Sequence, residues 1–172
     1  MRLLLCAAVV ISCGLVAGIA APGGSARASA PGDGCLVVSQ GFGKVVVALT
    51  RGVIFGRFQS GSLSYNDQGG EPNLPIVPGV TPAKSVASDN VWKYGPADNV
   101  RFRATGPTRL VVNAQFIDLS VAGRGAATLY VGSFIPDFAG KVSVDASSFC
   151  EANWQRMPRI PTRYSISSPV AG

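Results

Sequence analysis

The 172-residue chain contains no histidine. Without an imidazole it cannot form a Ser-His-Asp or Cys-His nucleophilic site, and no zinc or copper ion can be held by histidine ligands. Charged residues are also scarce, at 14% of the chain, and the formal net charge of +6 is modest. These scarcities exclude the commonest hydrolase sites and do not favour a nucleic-acid partner.

Cysteine is limited to four positions, of which Cys6 and Cys13 lie in an apolar N-terminal segment. Removal of that segment would leave Cys35 and Cys150, one near each end of the remaining chain. Two cysteines in an exported chain predict one disulfide. Since the disulfide uses both thiols, no thiolate metal site remains, and we predict neither a metal nor a cofactor.

Residues 1–30 have the pattern of a signal peptide, which predicts a secreted or envelope-associated protein. Arg2 precedes the apolar run Leu3–Ala20, and Ala26–Ala30 offers the small residues that a signal peptidase requires. Two alternatives stay open. The run is long enough to remain as a membrane anchor, and the residues ending at Cys13 resemble a lipobox, which would make Cys13 a lipidated N-terminus.

The rest of the chain predicts a short flexible lead-in, residues 31–34, and one β domain, residues 35–168. Glycine (21) and proline (12) are scattered among β-branched residues, and no helical periodicity follows residue 30. The alternating segments predict eleven short strands: 35–39, 43–50, 53–59, 62–66, 91–94, 99–105, 109–113, 116–122, 126–133, 141–146 and 162–167. This pattern is typical of an all-β protein, an antiparallel β-sandwich or barrel.

Two segments of the domain resemble one another without a gap. Lys44–Tyr65 reads KVVVALTRGVIFGRFQSGSLSY, and Arg109–Tyr130 reads RLVVNAQFIDLSVAGRGAATLY. A tryptophan follows each segment, Trp92 in one case and Trp154 in the other. We interpret this as an internal duplication with one half at residues 35–106 and the other at residues 107–168.

Two sets of side chains are candidates for binding. The first is basic and would form an anion-binding face if the halves bring its members together: Arg101, Arg103, Arg109 and Arg163. The second consists of Trp92 and Trp154, whose rings would stack on sugars if exposed. The competing interpretations are solvated outer strand faces for the arginines and core packing for the tryptophans.

The leading functional prediction is a non-catalytic binding or structural module at the cell envelope that recognises an anionic polymer through arginines. Its expected partner is a cell-wall polyanion or polysaccharide, with a membrane involved only if the N-terminal segment is retained or Cys13 is lipidated. One alternative is a glycoside hydrolase that uses Asp118 and Asp145, which would have to lie about 5–9 Å apart. The other is a purely structural envelope protein.

The segments GKVVVALTRGVIFGRFQSGSLSYND, NVRFRATG, RLVVNAQFIDLSVAGRGAATL and MPRIPTRYSI carry a resemblance. They resemble a group of small, uncharacterised, exported all-β proteins of high-GC Gram-positive bacteria. The resemblance covers most of residues 35–167 and implies a fold and a location. It implies no activity, so no functional residue is carried over.

Overall fold

The computed structural model describes residues 32–67, 74–84, 90–131, 140–145, 150 and 153–167. The predictions for residues 1–30, including the alternatives for Cys13, lie outside the described residues. Seven strands form a single antiparallel sheet. Their bounds are β1 (Gly34–Asp67), β2 (Ala83–Lys84), β3 (Val91–Thr105), β4 (Thr108–Tyr130), β5 (Lys141–Asp145), β6 (Gln155–Arg156) and β7 (Thr162–Ile166).

The sheet confirms the predicted all-β class, and it does not close on itself. Its strand order is β2-β3-β1-β4-β7, and β5 pairs with both β1 and β6. The described residues contain no helix, and so none that is long and apolar enough to cross a membrane.

The two long strands β1 and β4 are strongly coiled. Leu49 of β1 pairs on one side with Thr108 and on the other with Gly125. If β4 were straight, these two residues would lie about 55 Å apart, whereas residues that flank one strand are separated by about 10 Å. β4 must therefore curl so that both of its halves flank the same part of β1.

The inner face of the curled sheet holds the core. Val45, Val47 and Leu49 are at most 2% exposed, whereas Lys44, Val46 and Ala48, which alternate with them, are half-buried or exposed. This confirms the alternation predicted for residues 43–50. The largest fully buried side chains are Tyr65, Phe58, Leu36, Leu49, Ile54, Leu63, Leu110, Ile117, Leu119, Leu129, Ile166 and Val38.

The predicted cysteine pair is confirmed at disulfide distance. Cys35 and Cys150 are bonded, with a Cα–Cα separation of 5.6 Å across 115 residues of sequence. Both are buried in a small cluster with Ala122, against which Val53 and Phe55 pack on the outer side of the sheet. The disulfide thus covers apolar surface that lies outside the main core.

Several segments that separate the predicted strands are bends within continuous strands. Ser60-Gly61 predicts a tight hairpin, but β1 continues through this point with a register shift between Gly61 and Leu63. Gly123-Arg124-Gly125 is likewise contained in β4. Glycine serves a bend as well as a reversal because both require its backbone freedom.

The internal duplication stays a prediction. The two similar segments pair with each other in antiparallel fashion, from Lys44 opposite Tyr130 to Tyr65 opposite Leu110. Their closing tyrosines differ in environment, because Tyr65 is fully buried and Tyr130 is half-buried beside Lys44. The two tryptophans also differ, since Trp92 packs against the core and Trp154 is 39% exposed.

We expect the protein to lose stability at alkaline pH partly through Tyr94. This side chain is 3% exposed, and its hydroxyl donates to the carbonyl oxygen of Pro75 at 3.5 Å. Burial, and then the proximity of Tyr65, raise the pKa of Tyr94 above the usual 10.0. Because the unfolded chain loses this proton first, the contribution is complete below pH 10 and is lost as the pH rises through the folded-state pKa.

Urea unfolding measured between pH 8 and pH 11.5 checks this expectation. Tyr94→Phe should reduce the loss of unfolding free energy above pH 10 relative to the wild type. Burial also raises the pKa of Tyr164, so Tyr164→Phe should act in the same direction. If the free energy of unfolding falls above pH 10 by the same amount in the wild type and in Tyr94→Phe, Tyr94 does not contribute to the alkaline loss of stability.

Candidate binding site at the sheet corner

Three non-glycine residues with a left-handed backbone come together at one point of the fold. Gln40, Asn99 and Phe116 have φ angles of 50°, 54° and 52°. They belong to β1, β3 and β4, and all three line a cavity of about 540 Å³. Non-glycine residues adopt this conformation at an energetic cost, and such residues concentrate at functional sites.

The cavity lies where the coiled strands change register, and we call it the corner cavity. Its lining is Gln40, Arg57, Phe58, Gln59, Asn99, Val100, Arg101, Phe116 and Asp118. In β4 every second residue is buried from Leu110 to Ala114, and the next buried residue is Ile117. Gln115 and Phe116, which lie between them, are therefore both exposed. This pair of consecutive outward residues marks a β-bulge, a feature that re-aims side chains next to binding sites.

Asp118 holds the strands together at the rim of the cavity. Its Oδ2 accepts a hydrogen bond from Arg57 Nε at 2.9 Å and forms an ion pair with an Arg57 terminal nitrogen at 2.8 Å. Its Oδ1 accepts from the backbone N–H of Gln40 at 2.8 Å. Both carboxylate oxygens are therefore engaged, and the Arg57 guanidinium is held in a defined position on the cavity wall.

Arg101 adds a second guanidinium to the same wall. It lies directly opposite Arg57 in the pairing of β1 with β3, and it is exposed. The structure describes no ion pair between Arg101 and an acidic side chain. With Asp118 neutralising one of the two arginines, the cavity lining has a net positive charge.

Aromatic and aliphatic side chains form the remaining surface. The Phe116 ring is 42% exposed and makes an edge-to-face contact with Phe42, with centroids 4.6 Å apart. Phe58 and Val100 are each 2% exposed, so only a small part of either reaches the cavity. The corner cavity thus combines an exposed aromatic ring, planar amides and guanidinium groups.

The structure does not bring the four predicted arginines into one cluster. Arg101 lines the corner cavity, and Arg103 lies beside it with its guanidinium 5.2 Å from the centroid of the Phe55 ring. Arg109 of β4 lies opposite Asn66 of β1, and Asn66 in turn lies opposite Val91 of β3. Val91 is ten residues from Arg101 along β3, which is roughly 33 Å in an extended strand.

Arg163 and the two tryptophans also lie away from the cavity. Arg163 is exposed on β7, opposite Thr128. Trp92 is half-buried in β3, and Trp154 precedes β6 with part of its ring exposed. Of this set Arg101 alone lines the cavity, and a binding role for the other arginines and for the two tryptophans stays a prediction.

The carboxylate pair of the hydrolase alternative is separated in the sheet. Asp145 pairs with Cys35, whereas Asp118 contacts Gln40, and the two aspartates lie on opposite edges of β1. The offset along β1 alone is about 13 Å or more, which exceeds the spacing that glycoside hydrolysis requires. Among the described residues, no group of three or more Cys, Asp or Glu side chains could hold a metal ion.

Sequence reasoning missed five lining residues: Gln40, Arg57, Gln59, Asn99 and Phe116. One signal was present in the sequence: the apolar alternation of residues 110–114 resumes out of phase at residue 117. A phase change of this kind predicts a bulge, but it does not show which other strands meet there. Comparison with protein-family models, with curated proteins and with solved structures finds no match to this chain, and the resemblance described above stays a prediction.

Proposed function

We propose that this protein is an exported, non-catalytic binding module whose corner cavity holds one unit of an anionic cell-envelope polysaccharide. The observation that carries the proposal is the cavity itself, with Arg57, Arg101 and the exposed ring of Phe116 on its lining. Binding sites for small ligands are typically concave and combine apolar surface with a few placed polar groups.

Each class of side chain in the cavity suits a different part of a sugar acid. The guanidinium of Arg101 can bind a carboxylate through two parallel hydrogen bonds. The amides of Gln40, Gln59 and Asn99 offer donors and acceptors to hydroxyl groups. The exposed Phe116 ring can cover the apolar face of a pyranose, since aromatic rings contribute large contact areas.

The envelope location is supported by the disulfide. Disulfides persist in oxidising compartments and are rare in the cytosol, and Cys35 and Cys150 lie at bonding distance. The predicted signal segment supports the same location. A polysaccharide of the envelope is therefore a ligand that this protein would meet.

No observation favours catalysis at the corner. Among the described residues the cavity lining has one carboxylate, Asp118, and both of its oxygens already accept hydrogen bonds. A carboxylate in this arrangement positions Arg57 instead of exchanging protons with a substrate. We therefore keep the proposal to binding.

Arg101→Gln is expected to weaken binding of polygalacturonate oligomers about tenfold, because a hydrogen bond to a charged group is worth about 1.5–3 kcal/mol. Phe116→Ala should weaken it by a similar factor through loss of ring contact. Isothermal titration with galacturonate oligomers, and with neutral galactose oligomers of the same length, measures both effects. The wild type should prefer the acidic oligomers.

The matched control is Arg159→Gln, which removes the same charge from an exposed residue that does not line the cavity. It should bind as the wild type does. Equal binding of acidic and neutral oligomers, or equal weakening by Arg159→Gln and Arg101→Gln, would contradict the proposal. Thermal unfolding of each variant confirms that the fold is intact.

A further inference from the structure

The outer face of β3 carries a further arginine directly beside the corner cavity. Arg101 and Arg103 are both exposed, whereas the residues that alternate with them, Val100, Phe102 and Ala104, are at most 4% exposed. The two arginines therefore project from the same face of one strand. They are two residues apart, which is about 6.6 Å in an extended strand. A ligand that extends from the cavity past Arg101 would therefore meet Arg103.

The pairing of β1 with β3 gives Arg103 an aromatic neighbour. Phe55 lies opposite Arg103, and Arg57 lies opposite Arg101 two residues further along the same pair of strands. The central carbon of the Arg103 guanidinium is 5.2 Å from the centroid of the Phe55 ring. A guanidinium that stacks on a ring uses its flat face, so its N–H groups stay available for hydrogen bonds to a ligand.

A second apolar side chain lies on the other side of Arg103. The backbone N–H of Ile76 donates to the carbonyl oxygen of Arg103 at 2.9 Å, and the N–H of Arg103 donates to that of Ile76 at 3.0 Å. Residues directly opposite in an antiparallel pair have their side chains on the same face, and the Ile76 side chain is 64% exposed. We call Phe55, Ile76 and Arg103 the adjoining subsite.

The charges of the cavity and of the adjoining subsite do not balance. Together they hold three guanidinium groups, from Arg57, Arg101 and Arg103, and one carboxylate, from Asp118. In the part of the chain that the structure describes, neither Arg101 nor Arg103 forms an ion pair with an acidic side chain. One carboxylate of a ligand would match only one of these two arginines, so the pair suits a ligand with two acid groups.

The adjoining subsite repeats the chemistry of the cavity. In the cavity, Arg101 is accompanied by the exposed ring of Phe116. In the adjoining subsite, Arg103 is accompanied by Phe55 and Ile76. A guanidinium binds a carboxylate through paired hydrogen bonds, and an apolar side chain packs on the apolar face of a sugar ring. A polymer whose every unit bears a carboxylate repeats both features from one unit to the next.

We infer that the adjoining subsite binds the next unit of the same acidic polysaccharide, so that the protein recognises two consecutive uronate units. The inference rests on the proposed function, because it assigns the first unit to the corner cavity. It also narrows the class of ligand to polymers in which neighbouring units both carry a carboxylate. A polysaccharide with isolated acidic units would occupy the cavity alone.

Titration of the oxidised, isotope-labelled full-length chain with galacturonate and with digalacturonate tests the inference. NMR is the appropriate readout, because it measures weak affinities as well as strong ones. The wild type should bind digalacturonate about tenfold more tightly than galacturonate, since a hydrogen bond to a charged group contributes on this scale. This comparison requires no variant.

Arg103→Gln should remove the tenfold gain and leave the affinity for galacturonate unchanged, whereas Arg101→Gln should weaken the binding of both sugars. The matched control is Lys93→Gln, which removes the same charge from an exposed residue of β3 that belongs to neither the cavity lining nor the adjoining subsite. It should bind both sugars as the wild type does.

Two results would overturn the inference and leave the proposed function standing. One is an equal affinity of the wild type for galacturonate and digalacturonate, with both weakened by Arg101→Gln. The other is an equal loss of digalacturonate affinity in Arg103→Gln and Lys93→Gln, because the effect would then be one of net charge. If neither sugar binds to the wild type, the proposed function itself is wrong and the inference fails with it.

Discussion

Replacing Gly123 with alanine is expected to lower the free energy of unfolding by about 4 kcal/mol. Gly123 has a φ of +147°, a region that other residues rarely adopt. An added Cβ would also collide with the carbonyl oxygen of Arg51 and would lie 2.6 Å from the Cα of Gly52. These are backbone atoms, so no side chain can rotate away, and strain and overpacking each cost about 1–3 kcal/mol.

Gly52→Ala should behave in the same way. Gly52 faces Gly123 in the pairing of β1 with β4, and its Cβ would lie 2.7 Å from the Gly123 Cα. The backbones of the two long strands approach closely at this glycine pair. Since both substitutions disturb one contact, the double variant should cost less than the sum of the two single variants.

Gly106→Ala is the matched control for these substitutions. Its φ is +85°, but nothing lies within 4 Å of an added Cβ. It should therefore cost only about 1–2 kcal/mol, the backbone term alone. Urea unfolding of the oxidised proteins measures all of these effects, and a Gly123→Ala variant no less stable than Gly106→Ala would show that the strands do not meet closely at Gly52 and Gly123.

Removal of the disulfide is expected to lower the free energy of unfolding by about 4 kcal/mol. The Cys35–Cys150 bond closes a loop of 115 residues, and a cross-link across so long a loop strongly restricts the unfolded chain. Alanine is the appropriate substitute at both positions, because Cys35 is fully buried and Cys150 is 7% exposed. A serine there would place an additional polar group in apolar surroundings.

Comparison of four samples isolates the effect of the bond. The oxidised wild type should be the most stable, and the reduced wild type should resemble the Cys35→Ala, Cys150→Ala variant. The unfolding midpoint of that variant should not respond to reductant. If the oxidised wild type and the variant unfold at the same urea concentration, the bond does not stabilise the fold.

Local patterns in the sequence predicted the faces of the strands. The alternation at Val45, Val47 and Leu49 reports burial correctly because successive residues of a strand point to opposite sides, whatever the partner strand is. The cysteine pair was predictable for a similar reason, since the predicted removal of the N-terminal segment would leave two cysteines. Both predictions can be made from the identities and positions of these residues alone, without knowing which strands pair.

The bends were misread because glycine permits more than one backbone path. Ser60-Gly61 and Gly123-Arg124-Gly125 have the composition of tight turns, yet they lie within β1 and β4. A turn and a bend differ in which strands pair next, and that pairing is decided by contacts distant in sequence. Residues 43–50 and 62–66 consequently belong to one long strand, not to separate strands joined by turns.

The candidate binding residues were also predictable from the sequence only in part. Arg101 was recognised from sequence as a base on the outer face of a strand, but nothing local indicates that Arg57 lies opposite it or that Phe116 shares its cavity. The separation of Arg101 from Arg109 is likewise a consequence of register. Which charged side chains cluster in space depends on which residues of neighbouring strands lie opposite one another.

The sequence by itself determined the all-β class, the core-facing positions, the cysteine pair and the absence of histidine chemistry, because composition and period-two alternation are local properties of the chain. Only the tertiary structure decided that β1 and β4 coil around one another and that Gln40, Asn99 and Phe116 meet in one cavity. It also decided that Arg101 lines that cavity, whereas Arg109 and Arg163 lie elsewhere in the sheet. These features arise from backbone hydrogen bonds between segments far apart in sequence, and the register of those bonds is set by the packing of the whole sheet.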